Sequence, residues 1–289
     1  MPSSEIRELV DPSRPHHTDA GPRPVRLHLT RPDRPGPAPL VLLSHGTGSA
    51  ADQMAWLAEP LAEAGFLVAA VDHHGNNYRD GYTAMGFACW WDRPLDLAFA
   101  LDRITADEQV GAVGVAGFSL GGYTAAALVG ARLSKEVVEG LLSGALRIPP
   151  PPEYPTLVEE IAALPAETVA SWVDLASADH TDERVRCAFL VAPAVGELLD
   201  TDSLTRIRRP VAVRWGDADV LAPPDRNARR YLDLVPGAEG RSVGAHVGHY
   251  EFLCRSTEDK PFHAAVRAGG PVRAEVAAEA VEFFRQHLG

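Results

Sequence analysis

Val110-Gly111-Ala112-Val113-Gly114-Val115-Ala116-Gly117-Phe118-Ser119-Leu120-Gly121 is the stretch that decides the fold. Val110 to Ala116, all small or β-branched, has the composition of a strand buried on both faces, and Leu120 to Leu133 continues in a helical pattern of apolar residues. Between them Gly117-Phe118-Ser119-Leu120-Gly121 fits G-x-S-x-G. A serine at the tip of so tight a strand-to-helix turn is held in a strained backbone conformation, with its hydroxyl exposed. The bracketing glycines let strand and helix approach without Cβ clashes. The plainer alternative is a glycine-bracketed serine that only turns the chain; the flanking elements favour Ser119 as a nucleophile.

Upstream, Leu40 to Ser44 is a short apolar run, Gln53 to Ala64 carries apolar residues at helical spacing, and Phe66 to Val71 is apolar again, which makes a β-α-β unit. Pro94 to Ile104 reads as a helix with Asp92 as its N-cap. Before that unit, Pro12, Pro15, Pro22, Pro24, Pro32, Pro35, Pro37 and Pro39 forbid helix and leave room for one strand, Val25 to Thr30. Downstream, the Pro149-Pro150-Pro151-Pro152 run breaks the chain, and Leu157 to Ala176 is helical, acidic and interrupted by Pro165. Residues 135–184 are therefore expected to form a cap or lid insertion. Strand and helix then alternate again: Cys187 to Ala192, Val211 to Trp215, Arg241 to Val243, and a last helix from Val272 to His287. The pattern predicts an α/β fold, a single domain over residues 1–289 with a mostly parallel central sheet flanked by helices.

The chain has 289 residues, 46% hydrophobic and 23% charged, enough to bury a large core. Its 27 Lys and Arg against 39 Asp and Glu give a net charge of −12, the wrong sign for holding nucleic acid or an anionic membrane. Cys89, Cys187 and Cys254 are far apart and show no C-x-x-C spacing, so neither a disulfide framework nor a thiolate metal site is indicated. The N-terminus lacks the basic start and apolar run of a signal peptide, and no apolar stretch is long enough to span a bilayer. A soluble, cytoplasmic protein is expected. Nothing in one sequence fixes the oligomeric state, and a homodimer is compatible with it.

A serine at its ordinary pKa is a poor nucleophile, so a histidine must take its proton and a carboxylate must orient that histidine. Trp215-Gly216-Asp217-Ala218-Asp219 places two aspartates at the end of a strand, of which Asp219 is the better candidate. His246 and His249 follow in Gly244-Ala245-His246-Val247-Gly248-His249-Tyr250, and His249 is preferred. Asp217 then reads as a turn residue bonding its own backbone and His246 as a solvated loop histidine. An oxyanion needs two backbone N–H donors: one from Leu120, the residue after the nucleophile, the other from Thr47 in the turn Ser44-His45-Gly46-Thr47-Gly48, with His45 bracing that loop.

These residues resemble the α/β-hydrolase superfamily, and within it the dienelactone-hydrolase-like branch akin to the platelet-activating-factor acetylhydrolases. The resemblance runs over nearly the whole chain. It rests on Asp11-Pro12-Ser13-Arg14, Pro39-Leu40-Val41-Leu42-Leu43-Ser44-His45-Gly46, Asp72-His73-His74-Gly75-Asn76, Arg93-Pro94-Leu95-Asp96-Leu97, Gly117-Phe118-Ser119-Leu120-Gly121-Gly122-Tyr123, Gly216 with Asp219, and Gly248-His249-Tyr250-Glu251-Phe252-Leu253. It implies a Ser119, Asp219, His249 triad and an oxyanion hole at Thr47 and Leu120. Dienelactone hydrolases proper use a cysteine nucleophile where this chain has serine, so their substrate is not carried over.

The expected activity is that of a serine carboxylesterase cleaving small ester, thioester or lactone substrates through an acyl-serine, with no cofactor and no metal. Phe118, Trp90 and Tyr250 are candidates for contact with substrate, although packing in the core is the favoured reading of the Trp90-Trp91 pair. The apolar face of the cap, with Leu157, Ile161, Leu164, Val169, Trp172 and Val173, is backed by Glu159, Glu160, Glu167 and Asp174. An acidic outer face predicts no membrane binding and a preference for short or compact acyl groups.

Two rivals stand against this. Gly46-Thr47-Gly48-Ser49-Ala50-Ala51 fits the G-x-G-x-x-A of an NAD(P)-binding oxidoreductase, with Asp72 ending the next strand 24 residues past Gly48 to hold a ribose hydroxyl. That reading leaves Ser119, Asp219 and His249 unexplained. The other rival is a catalytically silent hydrolase fold used for binding, against which all three triad members remain available. His73-His74 lacks the pattern of a metal site and is expected as a polar turn near the site mouth.

Overall fold

The computed structural model describes residues 2–34, 36–255 and 263–289; Pro35 of the proline-rich arm lies outside them. The strands in chain order are β1 (Ser3–Pro15), β2 (Pro22–Arg31), β3 (Ala38–Ser44), β4 (Leu67–Asp72), the two-residue β5 (Asn76–Asn77) and β6 (Gly81–Tyr82), then β7 (Val110–Phe118), β8 (Val185–Val191), β9 (Val211–Trp215) and β10 (Glu239–Ser242). The helices are α1 (Ala55–Glu63), α2 (Ala84–Ala88), α3 (Asp92–Asp107), α4 (Leu120–Leu128), α5 (Lys135–Leu142), α6 (Leu157–Ala162), α7 (Ala166–Ser177), α8 (Thr201–Arg206), α9 (Ala228–Leu234), α10 (His263–Ala268) and α11 (Gly270–Leu288).

Among the described residues, eight strands form one sheet in the order β1-β2-β4-β3-β7-β8-β9-β10. β2 is antiparallel to both β1 and β4, and the remaining pairs are parallel. Parallel strands need crossovers, so helices cover both faces of the sheet and leave β4 and β9 buried along their whole length and β3 buried at every residue but Pro39. One core joins Leu42, Val115 and Leu190 to Leu101 of α3 and Tyr123 of α4; the other joins Val41, Leu43 and Phe189 to Leu57 of α1 and Phe284 of α11. The expected α/β architecture is the observed one.

Three local expectations are corrected. The proline-rich arm holds two strands rather than one: β1 runs 13 residues and pairs with β2 in register from Ser3 opposite Arg31 to Asp11 opposite Arg23. Its side chains are mostly exposed, so there is no apolar alternation to read; ion pairs such as Arg26–Glu8 at 2.7 Å and Arg31–Glu5 at 2.8 Å line its face instead. Helix α4 stops at Leu128 rather than Leu133, because Gly130 with φ +125° turns the chain out of the helical region. Asp92 is the first residue of α3 rather than its cap, and its carboxylate receives Arg23 at 3.1 Å. The expected break at Pro165 separates α6 from α7. Among the described residues no helix is long and apolar enough to cross a membrane.

Candidate active site

β7 ends at Phe118 and α4 begins at Leu120, leaving Ser119 alone at the turn with φ 56° and ψ −121°. A non-glycine residue held there costs on the order of 1–3 kcal/mol and persists only where its surroundings over-determine it. They do so here: the Ser119 N–H donates to the Val191 carbonyl at 2.9 Å, and the Ser119 carbonyl accepts from Gly122 and Ala194 at 2.8 and 3.0 Å. The bracketing glycines are steric necessities. A Cβ on Gly117 would lie 1.9 Å from the Gly121 carbonyl oxygen, and one on Gly121 would lie 2.0 Å from that of Ser44.

Ser119 Oγ lies 2.9 Å from His249 Nε2, and His249 Nδ1 lies 2.6 Å from Asp219 Oδ2. The second carboxylate oxygen of Asp219 accepts the N–H groups of Leu221 and Ala222 at 3.0 and 2.7 Å. With Asp219 fixed as an acceptor, His249 Nδ1–H donates to it and leaves Nε2 free to accept the serine proton. All three side chains are buried, and the Phe118 ring backs the imidazole at 4.8 Å between centroids. The loops that carry Asp219 and His249 are joined by backbone bonds from Asp217 N–H to Gly244 O at 3.1 Å and from Ala218 N–H to Val247 O at 3.0 Å. The spare pair stays outside this chain: Asp217 accepts the Trp215 indole N–H at 3.1 Å rather than its own backbone, and His246 is exposed.

Thr47 and Leu120 both face the same cavity as Ser119. Leu120 is the first residue of α4, so its N–H has no intrahelical acceptor. The Thr47 turn closes with Ser49 N–H on Gly46 O at 3.3 Å and is held from outside by Gly48 N–H on Asn76 Oδ1 at 2.7 Å and by the Tyr82 hydroxyl on Gly48 O at 2.7 Å. His45 braces the turn as expected. Its Nε2 accepts the His73 N–H at 3.1 Å, which leaves Nδ1–H to donate to Gly46 O at 2.7 Å. Burial, with Arg93 nearby, holds His45 neutral well below the usual histidine range.

Beneath this turn lies a polar network that the sequence reading missed. His73 is not a surface turn residue at the site mouth; it is fully buried, with Nδ1 at 2.9 Å from Asp96 and Nε2 at 2.9 Å from Ser44 Oγ. Asp96 also accepts Arg23 at 2.8 Å and forms an ion pair with Arg14 at 2.8 Å, and Arg93 donates to Ser44 Oγ at 3.4 Å and to the His45 carbonyl. The available signal was the density of polar residues directly after an all-apolar strand. Asp72, which the dinucleotide reading assigned to a ribose, is consumed internally: it accepts Ala51 N–H at 2.7 Å and His28 at 2.9 Å. Burial opposes its charge, yet those donors hold its pKa down at about 2.

A cavity of about 1790 Å³ opens above Ser119 and His249, between the C-terminal ends of the strands and helices α5, α6 and α7. That exceeds the 300–1,000 Å³ usual for small-ligand pockets. Phe118, Trp90 and Tyr250 all line it. The Trp90-Trp91 pair does both things asked of it: Trp90 faces the cavity with its indole N–H on Phe87 O at 2.7 Å, and Trp91 is buried against Trp172 at 5.8 Å while reaching the cavity wall. Among the described residues, no group of three or more His, Cys, Asp or Glu is placed to hold a metal ion.

The Hydrolase_4 family model, described as serine aminopeptidase S33, matches residues 35–217, a span that includes Ser119 and stops two residues short of Asp219. No curated protein matches the sequence. Among solved structures, a ferulic acid esterase from Streptomyces cinnamoneus is similar at 20% identity and TM-score 0.65, covering 99% of this chain and 90% of that one. A Pyrococcus furiosus esterase is similar at 14% identity and TM-score 0.56, covering 99% and 93%. A dienelactone hydrolase from Anabaena variabilis is similar at 16% identity and TM-score 0.54, covering 99% of each chain. At these identities the likeness is one of fold.

Proposed function

The chain belongs to the Hydrolase_4 family, serine aminopeptidase S33, and on that premise we propose that it is a serine carboxylesterase whose Ser119, His249 and Asp219 act as the triad. The observation that carries this reading is the unbroken hydrogen-bonded chain from Asp219 through His249 to Ser119 Oγ, at 2.6 and 2.9 Å, on the floor of an open cavity. Esters are preferred to peptides because two solved structures similar in fold, those from Streptomyces cinnamoneus and Pyrococcus furiosus, are named as esterases.

In this mechanism Ser119 Oγ attacks the ester carbonyl carbon as its proton passes to His249 Nε2, and Asp219 stabilises the imidazolium that results. The carbonyl oxygen, now negative, takes the N–H groups of Thr47 and Leu120. Collapse breaks the bond to the alcohol oxygen, which leaves with the proton from His249. Water then repeats the sequence on the acyl-serine, giving the carboxylic acid and returning the proton to Ser119. The test is turnover of p-nitrophenyl acetate beside alanine p-nitroanilide, with labelling by a serine-reactive phosphonate mapped to its residue. Ester turnover with the label on Ser119 is expected; cleavage of the anilide alone, or a label elsewhere, overturns the assignment.

A further inference from the structure

The cavity is far larger than the triad needs, and most of its wall under α5, α6 and α7 is apolar. Leu133, Val138, Leu157, Trp172 and Leu198 are buried side chains that face it. Between α5 and α6 the wall is the strap Pro149-Pro150-Pro151-Pro152, all four of which line the cavity. Proline has no N–H and a fixed φ, so this strap is stiff and offers a substrate no hydrogen-bond donor. The rim continues the pattern: Leu146, Ile148, Val158, Val220 and Leu221 reach the cavity while standing exposed, Val220 at 85%. The Val220-Leu221 segment is fixed to the site, because the Leu221 N–H donates to Asp219. These exposed side chains carry the apolar character of the cavity out to its mouth.

Charge is kept to the outside. Glu139, Arg147, Glu197 and Arg226 touch the cavity from exposed positions, and Glu197 and Arg226 face each other at 3.9 Å. Glu153 is half-buried, beside Gly48 of the Thr47 turn. The deep wall is thus uncharged, while the polar groups that orient a substrate gather at Ser119, Thr47 and His249.

We propose that the substrate is an ester carrying one large, uncharged, apolar group, on its acyl or its alcohol side, which fills the space between the strand ends and α5, α6 and α7. This rests on the esterase reading above and specifies its substrate class. A site of this kind selects by area removed from water rather than by hydrogen bonding, so discrimination accumulates with each methylene. The ordinary transfer value of about 0.8 kcal/mol per methylene sets a ceiling of about fourfold in kcat/KM per added carbon.

The experiment measures kcat/KM on two series kept below their solubility limits. One series is p-nitrophenyl acetate, butyrate, octanoate and dodecanoate; the other is acetate esters of ethanol, butanol, octanol and naphthol. A rise of two- to fourfold per carbon from acetate to octanoate places the apolar group on the acyl side, and a rise confined to the second series places it on the alcohol side. Val173→Trp, which puts bulk on the α7 wall, is expected to lower the eight-carbon-to-two-carbon ratio at least tenfold in whichever series shows the rise. Activity that is flat or falls beyond two carbons in both series overturns the proposal while leaving the esterase reading intact. Failure to turn over any ester, with Ser119 unlabelled by the phosphonate, removes that reading and the proposal with it.

Discussion

Ser44 Oγ lies 2.9 Å from His73 Nε2, and because His73 Nδ1 lies 2.9 Å from Asp96, the protein contains a second Asp-His-Ser chain buried beneath the Thr47 turn. Its geometry matches the order of groups at Ser119, but Ser44 is 0% exposed and has no route to a substrate, so its hydroxyl serves only the fold. His73→Ala is expected to cost about 2–3 kcal/mol, since Ser44 Oγ and Asp96 each lose a buried partner, and to lower the thermal midpoint by roughly 5 °C. Labelling of Ser119 should persist, because the His73 backbone N–H still holds His45. An unchanged midpoint, or phosphonate on Ser44, would contradict this account.

Ser119→Ala and His249→Ala should each lower kcat by about 10⁵-fold and Asp219→Asn by about 10⁴-fold, with thermal midpoints near the parent's. Asp217→Asn and His246→Ala are the controls, since neither side chain joins the Ser119 chain, and each should stay within a few-fold of the parent. Steady-state kinetics on p-nitrophenyl acetate reads all five. If His246→Ala proved as damaging as His249→Ala, the assignment of the base would be wrong.

Gly121→Ala should fail for a different reason. Its Cβ would stand 2.0 Å from the Ser44 carbonyl oxygen, a backbone atom that cannot swing aside. Relief requires α4 to move away from β3, which takes Ser119 out of the position His249 needs. Insoluble expression, or soluble protein whose phosphonate labelling is slowed at least 100-fold, is expected. A soluble variant labelled at the parent rate would show that the turn tolerates the displacement.

The parts of this site that the sequence discloses are those set by local patterning. β7 shows in its unbroken apolar run and β9 in an apolar run interrupted by Arg214, and the residues that follow parallel strands fall at one edge of the sheet, so Ser119, Asp219 and His249 can be assembled from chain order alone. β1 escapes such a reading because its face is exposed and charged. The Ser44-His73-Asp96 chain escapes it because three separate elements, β3, the turn after β4, and α3, must be docked before those side chains meet. The cavity escapes it altogether. Its volume is the distance between the strand ends and α5 to α7, a quantity that tertiary packing sets and no residue pattern records.

The last expectation concerns acid. His17, His45, His73 and His74 are all pushed below the ordinary histidine value, in each case chiefly by burial, His73 to about 4 and His74 to about 3. Arg93 adds to the effect at His45 and His73, and His17 does so at His74, while Asp96 beside His73 opposes it. In the unfolded chain each titrates near 6.5. Between that value and about 4 the unfolded state therefore binds more protons at His73 and His74 than the folded one does, so stability falls as pH falls, by up to about 1.4 kcal/mol per pH unit for each of the two, and His17 and His45 act in the same direction. Asp72 acts lower down: its folded value of about 2 keeps its contribution intact above the unfolded carboxylate range and removes it only as pH drops through that interval. Urea unfolding between pH 7.5 and 4.5 should show a steep loss of stability beginning near pH 6.5, well before carboxylates protonate, with His74→Gln making the slope shallower by about one proton. A urea midpoint that holds constant down to pH 5 would mean that these histidines already carry protons in the folded protein, and the neutral tautomers assigned to His45 and His73 would have to be abandoned.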